Sequence, residues 1–156
     1  MERQFTRQAE NALKLATTIA KSCGHGYIGT EHLLAGLLKE PEGTAGKVLQ
    51  EFNVEEEKLR ELISSLVTPV QGNTAAAETK DPQYSPRARR IIEQAKEDAE
   101  SMECLCGTEH LLLSLLKETD CVATRLLFTM GVNIQKLFVA ILTAMGFDND
   151  TIAEEF

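Results

Sequence analysis

Apolar residues recur along this chain at spacings of three and four. Phe5, Ala9, Ala12, Leu13, Ala16, Ile19 and Ala20 form the first stripe, a spacing that puts all of them on one face of a helix. Thr6 at the start of the stripe suits an N-cap and Gly24 after it suits a stop. Leu33, Leu34, Leu37 and Leu38 form a second stripe, and further helices are predicted near Gly43–Phe52 and Glu55–Val67. The pattern then starts again. Ser85-Pro86 is a strong helix start, because proline at the first helical position lacks only an N–H that has no partner there. Ile91, Ile92, Ala95 and Ala99 continue that helix, Leu111, Leu112, Leu115 and Leu116 mark the next, and two more fall near Asp120–Met130 and Asn133–Met145. Asn53-Val54 and Gly131-Val132 read as the turns between third and fourth helices. Alternation with a period of two is absent, so few segments read as strands.

The two halves of this pattern are copies. Gly-Thr-Glu-His-Leu-Leu stands at Gly29–Leu34 and again at Gly107–Leu112. A shift of 78 also aligns Leu37-Leu38-Lys39-Glu40 with Leu115-Leu116-Lys117-Glu118, and Ala45, Leu49, Val54 and Leu59 with Ala123, Leu127, Val132 and Leu137. Upstream the shift is 79, aligning Phe5-Thr6 with Tyr84-Ser85 and Ala9, Ala16 and Ala20 with Ala88, Ala95 and Ala99. Copy two is therefore one residue shorter before its hexapeptide. Each unit is too long for a solenoid repeat. The expected fold is all-α: eight helices as two four-helix repeats related by a pseudo-twofold, since either unit alone would leave apolar stripes wet. Residues 1–147 form the domain, with repeat one about 4–67, a linker at 68–83 rich in Pro, Gly, Asn and Ala, and repeat two about 84–146. The acidic residues 148–156 read as the start of a further linker or tail.

Composition narrows the function. Hydrophobic residues make up 43% and charged residues 26% of the chain, the balance of a soluble globular protein. No apolar run reaches the roughly 18 residues of a membrane span, and Met1-Glu2-Arg3-Gln4 lacks a signal peptide's apolar core. A cytoplasmic location and no membrane partner are expected. A net charge of −8 argues against nucleic acid, whose binding rests on neutralising phosphates. Arg87, Arg89 and Arg90 are the one basic cluster, and on a helix their side chains fan out into solvent. Cys23, Cys104, Cys106 and Cys121 read as free thiols in a cytosolic chain. Cys104 and Cys106 with His25 and His32 fit no zinc spacing, so no metal site is expected.

Enzyme signatures fail. Gly43-Thr-Ala-Gly-Lys47 has two residues between its glycines where a phosphate-binding loop has four, and no strand precedes it. No serine or cysteine sits in a nucleophile motif. His32 and His110 hold equivalent positions near helix starts, which suits structural roles. The repeated Gly-Thr-Glu remains. Thr30 and Thr108 at those starts read as caps of their own helices, with Glu31 and Glu109 favouring the dipole by about 0.3–1 kcal/mol. A second reading makes each triad, Gly29, Thr30 and Glu31 or Gly107, Thr108 and Glu109, a ligand site. The carboxylate would take a guanidinium in a bidentate pair, and N–H groups at the helix start would take an anion.

Phe5-Thr…Ala9, Gly24-His25…Ile28-Gly-Thr-Glu-His-Leu-Leu34 and Tyr84-Ser-Pro-Arg-Ala88…Gly107–Leu112 resemble the amino-terminal domain of Clp AAA+ ATPases of the ClpC type, over residues 3–146. The resemblance implies an eight-helix domain that binds protein substrates and adaptor proteins ahead of ATPase rings serving the ClpP protease. It also implies recognition of arginine-phosphorylated proteins, with Glu31 and Glu109 as the central residues. It implies no cofactor for this chain: ATP and Mg belong to the ATPase modules, which the sequence lacks. Copy two departs from the pattern, with Met102-Glu-Cys-Leu-Cys106 where copy one has Gly24-His25, and this favours Glu31 over Glu109. Two alternatives stay open: a stand-alone regulatory protein of this fold, and a thiol-based sensor using Cys104 and Cys106.

Overall fold

A computed structural model describes residues 4–22, 26–66, 83–118 and 120–147. Among them lie eight helices. Repeat one holds α1 (Arg7–Ser22), α2 (Thr30–Lys39), α3 (Thr44–Glu51) and α4 (Glu56–Leu66). Repeat two holds α5 (Pro86–Ser101), α6 (Thr108–Lys117), α7 (Val122–Thr129) and α8 (Ile134–Ala144). The expected all-α architecture of two four-helix repeats is what the chain forms. The linker at 68–82, the stop at Gly24 and the tail at 148–156 lie outside the described residues.

The first helices start as the sequence indicates. Thr6 Oγ1 accepts from Ala9 N–H at 3.1 Å, and Ser85 Oγ accepts from Ala88 N–H at 3.2 Å. Pro86 follows as the first helical residue of α5. α3 and α7 end on a residue in the left-handed region, Asn53 at φ 63° and Gly131 at φ 82°. Behind each, the N–H of Val54 or Val132 returns to the carbonyl of Leu49 or Leu127, the Schellman closure of a helix end.

α1 packs along α2 and α5 along α6, and the copies solve this contact differently. Gly36 brings α2 against α1 so closely that a Cβ there would lie 2.4 Å from Ala12 O. The equivalent Ser114 donates its hydroxyl to Ile91 O at 2.8 Å. The stripes then close one continuous core, in which Leu34, Leu49, Leu59, Leu112, Leu127 and Leu137 are fully buried. Burying each such side chain contributes about 1.5–3 kcal/mol.

The repeats do more than abut. Each takes part of its own structure from the other. β1 (Tyr27–Ile28), leading into α2, pairs in parallel with β2 (Gln83–Tyr84), leading into α5. Phe5, leading into α1, bridges in parallel to Cys106, leading into α6. Ser85 N–H donates to Ile28 O at 2.9 Å, and its counterpart Thr6 N–H donates to Cys106 O at 3.0 Å. The sequence pattern misses these two-residue pairings, and Gln83 belongs to β2 instead of the linker.

A second exchange corrects the reading of Thr30 and Thr108. Neither caps its own helix, whose N-cap is Gly29 or Gly107. Thr108 Oγ1 accepts from Ala45 N–H at 3.2 Å, and Thr30 Oγ1 accepts from Ala123 N–H at 3.2 Å. Each threonine therefore caps the third helix of the opposite repeat. Gly43 fits this contact, since a Cβ on it would come within 2.9 Å of the Thr108 side chain.

Candidate functional site

Three residues of each Gly-Thr-Glu-His run have identifiable structural tasks. The glycine is the N-cap, in extended backbone. The threonine caps the partner repeat. The histidine ring turns back: Gly29 N–H donates to His32 Nδ1 at 2.8 Å, and Gly107 N–H donates to His110 Nδ1 at 2.9 Å. This bond satisfies an N–H ahead of the helix, as the glutamate of a capping box does, and bears out the structural reading of both histidines.

The glutamates fold back over the glycines. A Cβ on Gly29 would lie 2.1 Å from Glu31 Oε1, and one on Gly107 would lie 2.1 Å from Glu109 Oε1. Glycine is thus the residue that leaves the carboxylate room over the head of the helix. Each carboxylate sits where the helix N-terminus presents N–H groups and the positive end of its dipole.

The two copies differ around this shared geometry. Glu31 is only 3% exposed, and Tyr27 Oη donates to its Oε2 at 3.4 Å. The Tyr27 ring also meets the His32 ring edge-on, with centroids 5.6 Å apart. In copy two Leu105 stands at the position of Tyr27, and Glu109 is half-buried. The sequence difference ahead of the second hexapeptide thus leaves Glu109 the more accessible carboxylate. Gly24 and His25 lie outside the described residues.

Burial lowers the His110 pKa below its ordinary value, against the opposing pull of the Glu109 and Asp98 carboxylates. Burial is also the main cause that pushes the Cys106 thiol up to about 12, with Glu109 and Cys104 adding to it. Among the described residues no cluster of three His, Cys, Asp or Glu is arranged to hold a metal ion. The basic cluster is partly tied down: Arg87 Nη1 donates to Asp120 O at 2.7 Å, and Arg90 Nε lies 3.1 Å from Glu118 Oε1.

Two surfaces escape the motif reading. A groove of about 1230 Å³ opens over α3 and α4, lined by Glu55, Glu56, Glu57 and Glu61 with Lys39 and Arg60. At the corresponding positions of repeat two the chain carries Asn133, Ile134, Gln135, Val139, Lys117 and Phe138. Nearby Phe128 is 76% exposed. The shift of 78 alone reveals that Glu56, Arg60 and Glu61 give way to the apolar Ile134, Phe138 and Val139.

Comparison with known proteins gives a consistent result. The model of the Clp repeat (R) N-terminal domain matches residues 4–104. The ClpC ATP-binding subunits of the ATP-dependent Clp protease from Staphylococcus aureus and Staphylococcus saprophyticus are each 38% identical over 144 residues, 92% of this chain. The chain spans about 17% of the length of those relatives. Among solved structures, the N-terminal domain of the chaperone ClpD from Arabidopsis thaliana has a TM-score of 0.76 at 27% identity, covering 92% of this chain and 96% of that one. The Hsp104 N-terminal domain from Candida albicans has a TM-score of 0.72 at 16% identity over 93% of each chain, a likeness of fold.

Proposed function

Because the chain belongs to the Clp repeat N-terminal domain family, we propose that it is a docking module, receiving protein substrates and adaptors for a ClpC-type unfoldase in ATP-dependent proteolysis. It binds and does no chemistry of its own. Its partners act in the cytoplasm, and the ClpP protease is reached only through ATPase modules that this chain does not contain. Among the described residues no single helix is long and apolar enough to cross a membrane. A peptide is a reasonable occupant for such a fold: a ClpV N-domain, similar here at a TM-score of 0.66 and 22% identity, has been solved in complex with a VipB peptide.

The proposed mark on the substrate is phosphoarginine. The observation that supports it is the repeated carboxylate over a glycine N-cap. Glycine, threonine and histidine in each run serve the fold, whereas the dipole benefit of a glutamate is only about 0.3–1 kcal/mol and does not require this folded-back position. A guanidinium takes the carboxylate in a bidentate pair, and its phosphoryl oxygens meet N–H groups at the helix start. Gly29, Thr30 and Glu31 form one such site and Gly107, Thr108 and Glu109 the other.

Calorimetry with free phosphoarginine tests this reading. Heat of binding is expected with the intact chain and none with a Glu31→Ala, Glu109→Ala double variant. Since Tyr27 covers Glu31, Glu109→Ala is expected to lose more binding than Glu31→Ala. Equal titrations of the intact chain and the double variant would sink the reading.

A further inference from the structure

Cys104 and His110 form a pair beyond the capping role of the histidine, and the thiol also reaches Ala99 O at 3.7 Å. Cys104 Sγ lies 3.5 Å from His110 Nε2. The tautomer follows from the geometry: Gly107 N–H donates to Nδ1, so the neutral ring carries its proton on Nε2. That proton faces the sulfur. The ring is 5% exposed, so water competes little for the bond, while the thiol itself is exposed.

The fold does not require this arrangement. His32 makes the same Nδ1 bond in repeat one, where Gly26 stands at the position of Cys104. The thiol is held in place by the end of α5, where Cys104 N–H donates to Ala99 O at 3.0 Å. It faces a groove of about 650 Å³ lined by Glu93, Glu97, Glu100 and Glu103, with Lys96 as the cation, 3.3 Å from Glu93. Cys106, two residues on, is buried and held as a thiol at neutral pH. Of the two, Cys104 is the exposed thiol.

We propose that Cys104 is a modification site that forms mixed disulfides with small cationic disulfides of the aminothiol class. The thiol proton passes to solvent, and the His110 Nε2–H bond holds the sulfur in place. The sulfur attacks one sulfur of the reagent. The Cys104–S bond forms as the reagent's S–S bond breaks, and the departing thiolate takes a proton from water. The groove's carboxylates draw in a cationic reagent and repel an anionic one.

Cystamine and oxidised glutathione are the probes, each reacted with the intact chain near pH 7. Each rate is divided by that of a short cysteine peptide, which removes the reagents' own reactivity, and adducts are placed by peptide mass spectrometry. Cys104 is expected to react before Cys106 and Cys121 and faster than the peptide. Its normalised rate with cystamine should exceed that with oxidised glutathione by about tenfold, the low end of electrostatic concentration in a charged cleft. The preference should shrink in high salt and in a Glu97→Gln, Glu100→Gln, Glu103→Gln variant, whose substitutions are all on exposed residues. First labelling at Cys106 or Cys121, a Cys104 rate no greater than the peptide's, or equal normalised rates for the two reagents would overturn the proposal.

Discussion

The hydroxyl of Thr108 accepts a hydrogen bond from the backbone of Ala45, 63 residues earlier, at 3.2 Å. It ties the head of α3 to the other half of the molecule. Thr108→Val keeps the shape and removes the acceptor, leaving a buried N–H with no partner. The expected loss is about 1–3 kcal/mol, read as a lower urea midpoint with unchanged slope. Thr108→Ser should retain most of the stability. Thr30→Val should behave alike through Ala123.

The carboxylate over the glycine makes a separable prediction. Gly107→Ala puts a methyl where Glu109 Oε1 now lies, although its φ of −98° suits alanine. The variant should lose about 1–3 kcal/mol, as overpacking does. Adding Glu109→Ala should return part of that loss. A double-mutant cycle with no coupling would show that the carboxylate does not fill the space above Gly107.

Close helix packing gives the converse case. Gly36→Ala sets a Cβ against Ala12 O, a backbone atom that cannot turn aside. α1 and α2 must move apart, and a loss of about 1–3 kcal/mol is expected. Ser114→Ala, at the equivalent position, should cost about 1 kcal/mol through one lost hydrogen bond. Thermal unfolding should rank the two in that order.

Glu103 sits at φ 58°, where an L residue with a Cβ is strained. Glu103→Gly should stabilise the chain by about 0.5–1 kcal/mol, net of glycine's greater freedom in the unfolded state. Chemical denaturation would register it as a raised midpoint.

The His110 pKa is lower in the folded protein than in the unfolded chain. The unfolded chain therefore binds the proton first as pH falls, and stability rises with pH across that window. The contribution is whole above the unfolded value of about 6.5 and is lost as pH falls through the folded one. Protonation at Nδ1 would also break the bond from Gly107 N–H. In His110→Gln the slope of stability between pH 7 and 5 should be shallower, and an unchanged slope would remove His110 as its source.

The helices were legible because each local signal concerns nearby residues. The stripe from Phe5 to Ala20, the caps at Thr6 and Ser85 and the turns at Asn53 and Gly131 are settled within a few positions of chain. Thr30 was misread because a hydroxyl at a helix start looks the same whether it caps its own helix or bonds Ala123 of another, 93 residues away. Periodicity shows which face is covered and not by what. The pairings of Phe5 and Tyr84 involve too few residues to alternate. At the site, the hexapeptide gave the carboxylates, but their access depends on Tyr27 and Leu105, residues outside the repeated string.

The crossed pairings of Phe5 with Cys106 and of Tyr84 with Ile28 bear on the symmetry of the fold. A single repeat would have both an unpaired leading segment and an unpaired acceptor for one, and a second copy related by a twofold axis would satisfy both at once. That is the isologous contact of a symmetric homodimer. The molecule has the arrangement of such a dimer with both halves on one chain. Within it the halves differ: one shelters its glutamate beneath a tyrosine, and the other places a thiol beside its histidine.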